Sequence, residues 1–72
     1  MTRTEKTAAE FKAGRKLLGL SQTEMAAMCG CTLRSVQNWE GGEYAVSDHA
    51  ARLMQAYLDG YRPADWPKAH QG

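Results

Sequence analysis

The feature of this 72-residue sequence that most constrains its fold is a series of four helix-start signals at short intervals. Thr7-Ala8-Ala9-Glu10 and Ser21-Gln22-Thr23-Glu24 have the pattern of a capping box, in which the first and fourth side chains each accept from a free backbone N–H. Thr32 and Ser47 are simpler N-cap signals. Because every N-cap begins a new helix, the sequence predicts four short helices.

Glycines mark the ends of these helices, and apolar residues at helical spacing mark their buried faces. Gly19, Gly30 and Gly60 follow the first, second and fourth helices, and Gly41-Gly42 breaks the third. The residues expected to face inward are Phe11, Gly14, Leu17, Leu18, Met25, Ala26, Met28, Val36, Trp39, Ala50, Leu53, Met54, Tyr57 and Leu58. The predicted fold class is all-α: a four-helix domain over 1–60 and a short C-terminal tail, 61–72.

Length and composition exclude several classes of protein. With 72 residues, of which 43% are hydrophobic, the chain predicts one small globular domain that is too short to enclose a substrate-sized pocket. No catalytic constellation is present, so we expect no enzyme. No apolar run approaches the roughly 18 residues of a membrane span, and Met1–Lys6 lacks the apolar core of a secretory signal. These observations predict a cytoplasmic protein.

The two cysteines do not indicate a metal or a disulfide. Cys29 and Cys31 are too close in the chain for an easy disulfide with each other. His49 and His70 stand at no spacing typical of zinc ligands. We therefore expect no metal and no cofactor, and we expect Cys31 to be a buried apolar residue.

Charge is distributed unevenly along the chain, although the formal net charge is only +1. Through Trp39, six basic side chains stand against three acidic ones, whereas from Glu40 onward three stand against five. An anion would prefer the first half. A solvated surface with scattered charges explains the same counts equally well.

The stretch from Leu20 to Gly42 has the layout of a helix-turn-helix pair. Ala26 is the small residue at the helix crossing, Gly30 takes the bend, and Cys31 and Val36 join the turn to the core. The outward face of the third helix is then left with Leu33, Arg34, Gln37 and Asn38. Arginine can bind guanine, glutamine and asparagine can bind adenine, and leucine can contact a thymine methyl group. The alternative is an ordinary solvated helix face.

The placed residues resemble the lambda-repressor-like (Cro and phage repressor, XRE-type) helix-turn-helix family from about Thr7 to Leu58. They are Arg15, Gly19, Leu20, Ser21, Gln22, Met25, Ala26, Gly30, Cys31, Thr32, Val36, Trp39, Glu40 and Gly42. The resemblance implies a small transcriptional regulator that binds an operator in double-stranded DNA as a homodimer. Compact phage regulators, including those found beside anti-CRISPR genes, are similar in size and layout.

The resemblance also implies roles for single residues. Base-reading contacts would come from Leu33, Arg34, Gln37 and Asn38. Contacts with the DNA backbone would come from Gln22, Thr32, Ser35, Gly41 and Tyr44. No small-molecule substrate and no membrane is implied.

The tail departs from the family pattern, because a longer C-terminal helix that pairs protomers in some relatives is missing. Its apolar residues, with those at the end of the fourth helix, predict a dimer contact made by Tyr57, Leu58, Tyr61 and Trp66. The alternative is that Tyr61 and Trp66 fold back on their own core.

Two other functions remain open. One is an antitoxin or another protein-binding module that binds DNA secondarily; the other is an architectural protein that bends DNA with little sequence preference.

Overall fold

Four helices joined by short turns make up the computed structural model, which describes residues 6–67. They are α1 (Ala8–Leu17), α2 (Gln22–Cys29), α3 (Leu33–Glu40) and α4 (Asp48–Leu58). No strand is present in residues 6–67, so the prediction of an all-α fold with four helices is confirmed. Residues 1–5 and the end of the predicted tail, 68–72, which includes His70, lie outside the described residues.

Each of the four helices begins at the side-chain cap that the sequence predicts. The Thr7 hydroxyl accepts from the Glu10 N–H at 3.1 Å, and the Glu10 carboxylate accepts from the Thr7 N–H at 3.0 Å. The same reciprocal pair joins Ser21 and Glu24. At the other two helices a hydroxyl accepts from the N–H three residues later: Thr32 from Ser35 at 3.1 Å, and Ser47 from Ala50 at 3.2 Å.

The turn between α2 and α3 depends on Gly30. This residue has φ +68°, in the left-handed region that glycine adopts without steric penalty. Gly30 N donates to Ala27 O at 3.3 Å, and Cys31 N donates to Ala26 O at 2.9 Å, so the turn satisfies carbonyls at the end of α2. The two helices of the predicted pair are therefore joined by a tight, hydrogen-bonded turn.

One apolar core lies among the four helices. Its fully buried centre is one large side chain from each helix: Phe11, Met25, Val36 and Met54. Helices α1 and α4 approach so closely at Gly14 that a Cβ there would lie 2.7 Å from Met54 Sδ. Gly14 is therefore a packing residue, as its inward position predicts.

Three residues that the sequence predicts to be buried are not: Leu17, Leu58 and Cys31. Leu58, at the end of α4, is 36% exposed. Leu17 is 81% exposed, although Phe11 on the same helix is fully buried. Leu17 lies about 120° around the helix axis from Phe11, whereas Leu18 lies within about 20° of it and packs against the core. Cys31 is only half-buried, and the buried thiol is that of Cys29.

The start of the tail folds back on the helices, which corrects half of the predicted dimer contact. The ring of Trp66 is 8% exposed and meets the ring of Tyr57 edge-on at 5.1 Å between centroids. Arg62 stacks over Trp66 at 4.4 Å and donates from Nη1 to the Tyr57 carbonyl at 2.7 Å. Tyr57 and Trp66 are thus used inside the protomer and offer little surface to a second copy. Leu58 and Tyr61 remain exposed, at 36% and 56%.

Candidate nucleic-acid interface

Helix α3 divides into a buried face and an outward face. Val36 is fully buried, and the ring of Trp39 meets that of Phe11 edge-on at 5.6 Å between centroids. The residues predicted to read bases leave the helix on the other side: Leu33, Arg34 and Gln37 are exposed, and Asn38 is half-exposed. The structure therefore brings all four onto one surface. That surface combines a guanidinium, two amides and an apolar side chain, which are the groups that can distinguish base edges in a major groove.

The first turn of α3 carries two of the predicted backbone contacts, Thr32 and Ser35. Thr32 Oγ1 accepts from the Ser35 N–H at 3.1 Å and donates to Ser35 Oγ at 3.1 Å. Thr32 is exposed and Ser35 is half-exposed. In that chain of bonds, the hydroxyl hydrogen of Ser35 stays available to an acceptor outside the protein. These two residues lie next to Leu33 and Arg34 at the start of α3.

Gln22, the third predicted backbone contact, is the first residue of α2 and is half-exposed. Its Nε2 donates to Glu40 Oε1 at 3.1 Å, which joins the start of α2 to the end of α3. Glu40 is also the ion-pair partner of Arg15, whose Nε lies 2.7 Å from Oε2. Arg15 Nη1 donates in turn to the Leu20 carbonyl at 2.8 Å, in the turn before α2. This network of Arg15, Glu40 and Gln22 fixes α1, α2 and α3 relative to one another.

The loop after α3 supplies less than predicted. Gly41 is exposed, but its N–H already donates to the Gln37 carbonyl at 2.9 Å. The Gly41 N–H cannot also donate to a phosphate without losing that bond. The absence of a side chain at Gly41 would still allow the backbone to lie close to a phosphate. Tyr44 is 66% exposed and keeps its hydroxyl available as a donor. The neighbouring exposed Glu43 opposes an anion at this loop.

Reasoning from the sequence missed the ion pair of Arg15 and Glu40. Arg15 and Glu40 both stand in the family pattern, but no partner was predicted for either of them. The signal is helical spacing: Arg15 is four residues after Phe11, and Glu40 is four residues after Val36. Each therefore lies within about 40° of the most buried residue of its helix. Two opposite charges on buried faces of packed helices are expected to pair, because an unpaired buried charge is costly.

Cys29 lies in the core, and Cys31 packs at its edge. Burial, and the nearby charge of an ionised Cys31, raise the pKa of the Cys29 thiol to about 12. Burial also raises the pKa of Cys31. Within the described part of the chain, no three His, Cys, Asp or Glu side chains are grouped so that they could hold a metal ion. None of the helices in residues 6–67 has the length and apolar character needed to cross a membrane.

Comparison with known proteins identifies a family. A family model described as helix-turn-helix, of the XRE and lambda-repressor-like type, matches residues 11–66, which is most of the chain. No curated protein and no solved structure matches. The matched range includes the capped pair α2 and α3, the network around Glu40 and the residue Trp66 that closes the core.

Proposed function

The chain belongs to the helix-turn-helix family of DNA-binding regulators, and on that basis we propose that it is a dimeric repressor of transcription. Each protomer places α3 in the major groove of one half of an inverted-repeat operator. Occupying a promoter is sufficient to repress it. The observation that carries the proposal is the division of α3, with Val36 fully buried and Arg34 and Gln37 exposed on the outward face.

The proposal assigns two kinds of contact to these side chains. Arg34 binds a guanine through its forked guanidinium, Gln37 and Asn38 bind adenine, and Leu33 contacts a thymine methyl group. Gln22, together with Thr32, Ser35 and Tyr44, contacts phosphates, which fixes the docking position without reading sequence.

The homodimer is supported by the small size of one reading surface. Arg34 is the single arginine or lysine between Thr32 and Ala51, so this part of one protomer makes few ionic contacts with DNA. Typical specific affinity requires a larger interface than one such helix provides. Two copies related by a twofold axis would place their α3 helices about 34 Å apart, in successive major grooves.

Removing Arg34 tests the reading surface. We expect Arg34→Ala to weaken binding to the preferred operator by about 1–3 kcal/mol and to relax the preference at one base pair. Arg52→Ala is the matched control, because Arg52 is also exposed but lies on α4. Fluorescence anisotropy with competing duplexes measures both. Wild-type affinity in Arg34→Ala, or an equal loss in Arg52→Ala, would contradict the assignment of the reading surface.

The exposed Leu17 favours a second candidate function, a protein-binding module such as an antitoxin. Leu17 is 81% exposed, so a partner protein could cover its apolar side chain. The two functions predict different complexes when the protein is purified. A different protein present at equal stoichiometry would support the module, and a homodimer that binds one operator duplex would support the repressor.

A further inference from the structure

The buried carboxylate of Glu40 accepts more hydrogen bonds than its ion pair requires. Arg15 Nε donates to Oε2 at 2.7 Å and Arg15 Nη2 donates to Oε1 at 3.1 Å, so both oxygens are already bound. A third donor, Gln22 Nε2, reaches Oε1 at 3.1 Å. The two bonds from Arg15 already complete the ion pair, and the third bond also ties Gln22, the first residue of α2, to the carboxylate.

We propose that Glu40 is a positioning residue for DNA binding, which holds the Gln22 amide so that its second N–H meets a backbone phosphate. The inference rests on the proposed function and gives the buried ion pair a part in it. A carboxylate only accepts hydrogen bonds, so Gln22 must turn its NH₂ group, and not its carbonyl, toward Glu40. One N–H is then used inside the protein. The other has no partner among residues 6–67 and is free to donate.

The charge of Glu40 would by itself repel a phosphate bound at Gln22, and Arg15 removes this obstacle. The guanidinium binds the carboxylate at two points, so the pair has no net charge. The side chains of Arg15 and Glu40 are only 10% and 4% exposed, so water and salt screen the pair little. Glu40 can therefore orient the amide without presenting a net negative charge to the DNA.

Holding the Gln22 amide in place before DNA binds lowers the entropic cost of binding. A flexible side chain that becomes ordered only when the partner arrives weakens binding by about 2- to 12-fold. Gln22 is ordered in the free protein by its bond to Glu40. Gln37, an exposed glutamine on α3, has no side-chain bond to another residue of 6–67 and serves as the comparison.

The first test removes the ion pair without leaving a buried charge. Arg15→Met together with Glu40→Met replaces both partners by apolar side chains of similar size, a change that is often neutral for stability. We expect this pair variant to bind the preferred operator about 2- to 12-fold more weakly per half-site. In a Gln22→Ala background the same change should have no further effect. An equal loss in both backgrounds, or no loss in either, would overturn the positioning role.

The second test uses the wild-type protein without DNA. NMR relaxation of side-chain NH₂ groups in the wild-type protein compares the amide of Gln22 with that of Gln37. We expect the order parameter of the Gln22 amide to approach the value of about 0.85 that is typical of rigid backbone, and that of Gln37 to lie below about 0.6. A Gln22 amide as mobile as that of Gln37 would overturn the inference.

The two tests separate this inference from the proposed function. A protein with an ordered Gln22 amide that binds no duplex specifically would refute the proposed function. A protein that binds an operator specifically with a mobile Gln22 amide would refute only the positioning role of Glu40.

Discussion

At the scale of single residues, a rotation of about 100° along α3 decides whether a side chain fills the core or faces outward. Val36 is fully buried, whereas the next residue, Gln37, is exposed. Glu40 lies between these two directions, and its carboxylate joins the core side, through Arg15, to the surface side, through Gln22. We therefore expect a change at one position of this helix to affect either stability or the proposed contacts with DNA, and a change at Glu40 to affect both.

The buried thiol of Cys29 predicts how stability changes at alkaline pH. Its pKa is raised from 9.0 to about 12, so the folded state holds this proton more tightly than the unfolded state. The stabilisation is therefore expected to be present below pH 9 and to be lost as the pH rises toward 12, by roughly 1 kcal/mol for each pH unit.

Urea unfolding of wild type and Cys29→Ala between pH 8 and pH 10.5 measures this effect. We expect the free energy of unfolding to fall less steeply with pH in the variant, by about that amount for each unit above pH 9. Cys31→Ala is the control for the half-buried thiol, whose pKa burial also raises, and it should flatten the slope less. Parallel slopes for wild type and Cys29→Ala would contradict the burial of this thiol.

At the scale of elements, each helix begins at a hydroxyl cap and has only 8 to 11 residues. Helices of this length are marginal in isolation, so caps and packing together decide where they form. The caps of α3 and α4 are chemically alike, a hydroxyl that accepts from the N–H three residues later. The two caps differ in their position, because only the cap of α3 lies next to the proposed reading surface.

This difference predicts that two equivalent cap deletions have different effects on DNA binding. Thr32→Ala and Ser47→Ala should each lower the free energy of unfolding by about 1 kcal/mol, since each leaves a helix N–H without its cap. Only Thr32→Ala should also weaken DNA binding, because Thr32 is proposed to contact the backbone. Chemical denaturation and anisotropy on the same samples measure both quantities. Equal losses of DNA affinity in the two variants would remove Thr32 from the interface.

The sequence predicts these helices well because caps and glycine turns act within a few residues. Thr7, Ser21 and Thr32 each bind a backbone group three positions away, and that relation can be read from the order of the residues. The outward face of α3 follows by elimination once Val36 and Trp39 are placed inside.

Contacts between distant parts of the chain could not be read in the same way. The ion pair of Arg15 and Glu40 spans 25 positions and forms only when α1 and α3 pack together. Leu17 has the apolar character of a core residue, and only the direction of α1 shows that it faces outward. Trp66 could close its own core or meet a second copy, because both arrangements bury similar aromatic area.

At the scale of the whole molecule, the tail closes the core and leaves a small apolar surface uncovered. Trp66 packs on Tyr57, and Arg62 holds the tail at the end of α4. Away from the reading surface and from Tyr44 in the loop after α3, the large apolar side chains that stay exposed in residues 6–67 are Leu17, Leu58 and Tyr61. Of the predicted dimer contacts, Leu58 and Tyr61 are therefore the two that a second copy can reach.

Replacing these two residues tests the dimer contact. We expect Leu58→Ala with Tyr61→Ala to shift the protein toward the monomer, because the interface loses its apolar area. Tyr44→Ala is the matched control, since Tyr44 is 66% exposed but lies in the loop after α3. Sedimentation equilibrium without DNA gives the dissociation constant of each dimer. An unchanged dimer in the double variant would place the interface elsewhere.

The central claim is that the outward face of α3 reads the sequence of double-stranded DNA, and selection from a random duplex pool tests it most directly. The account predicts that wild-type protein enriches an inverted repeat whose half-sites lie about 34 Å, or one helical turn, apart. It also predicts that Arg34→Ala enriches the same repeat with one position in each half-site relaxed. A pool that stays random after repeated rounds with the wild-type protein would contradict the claim.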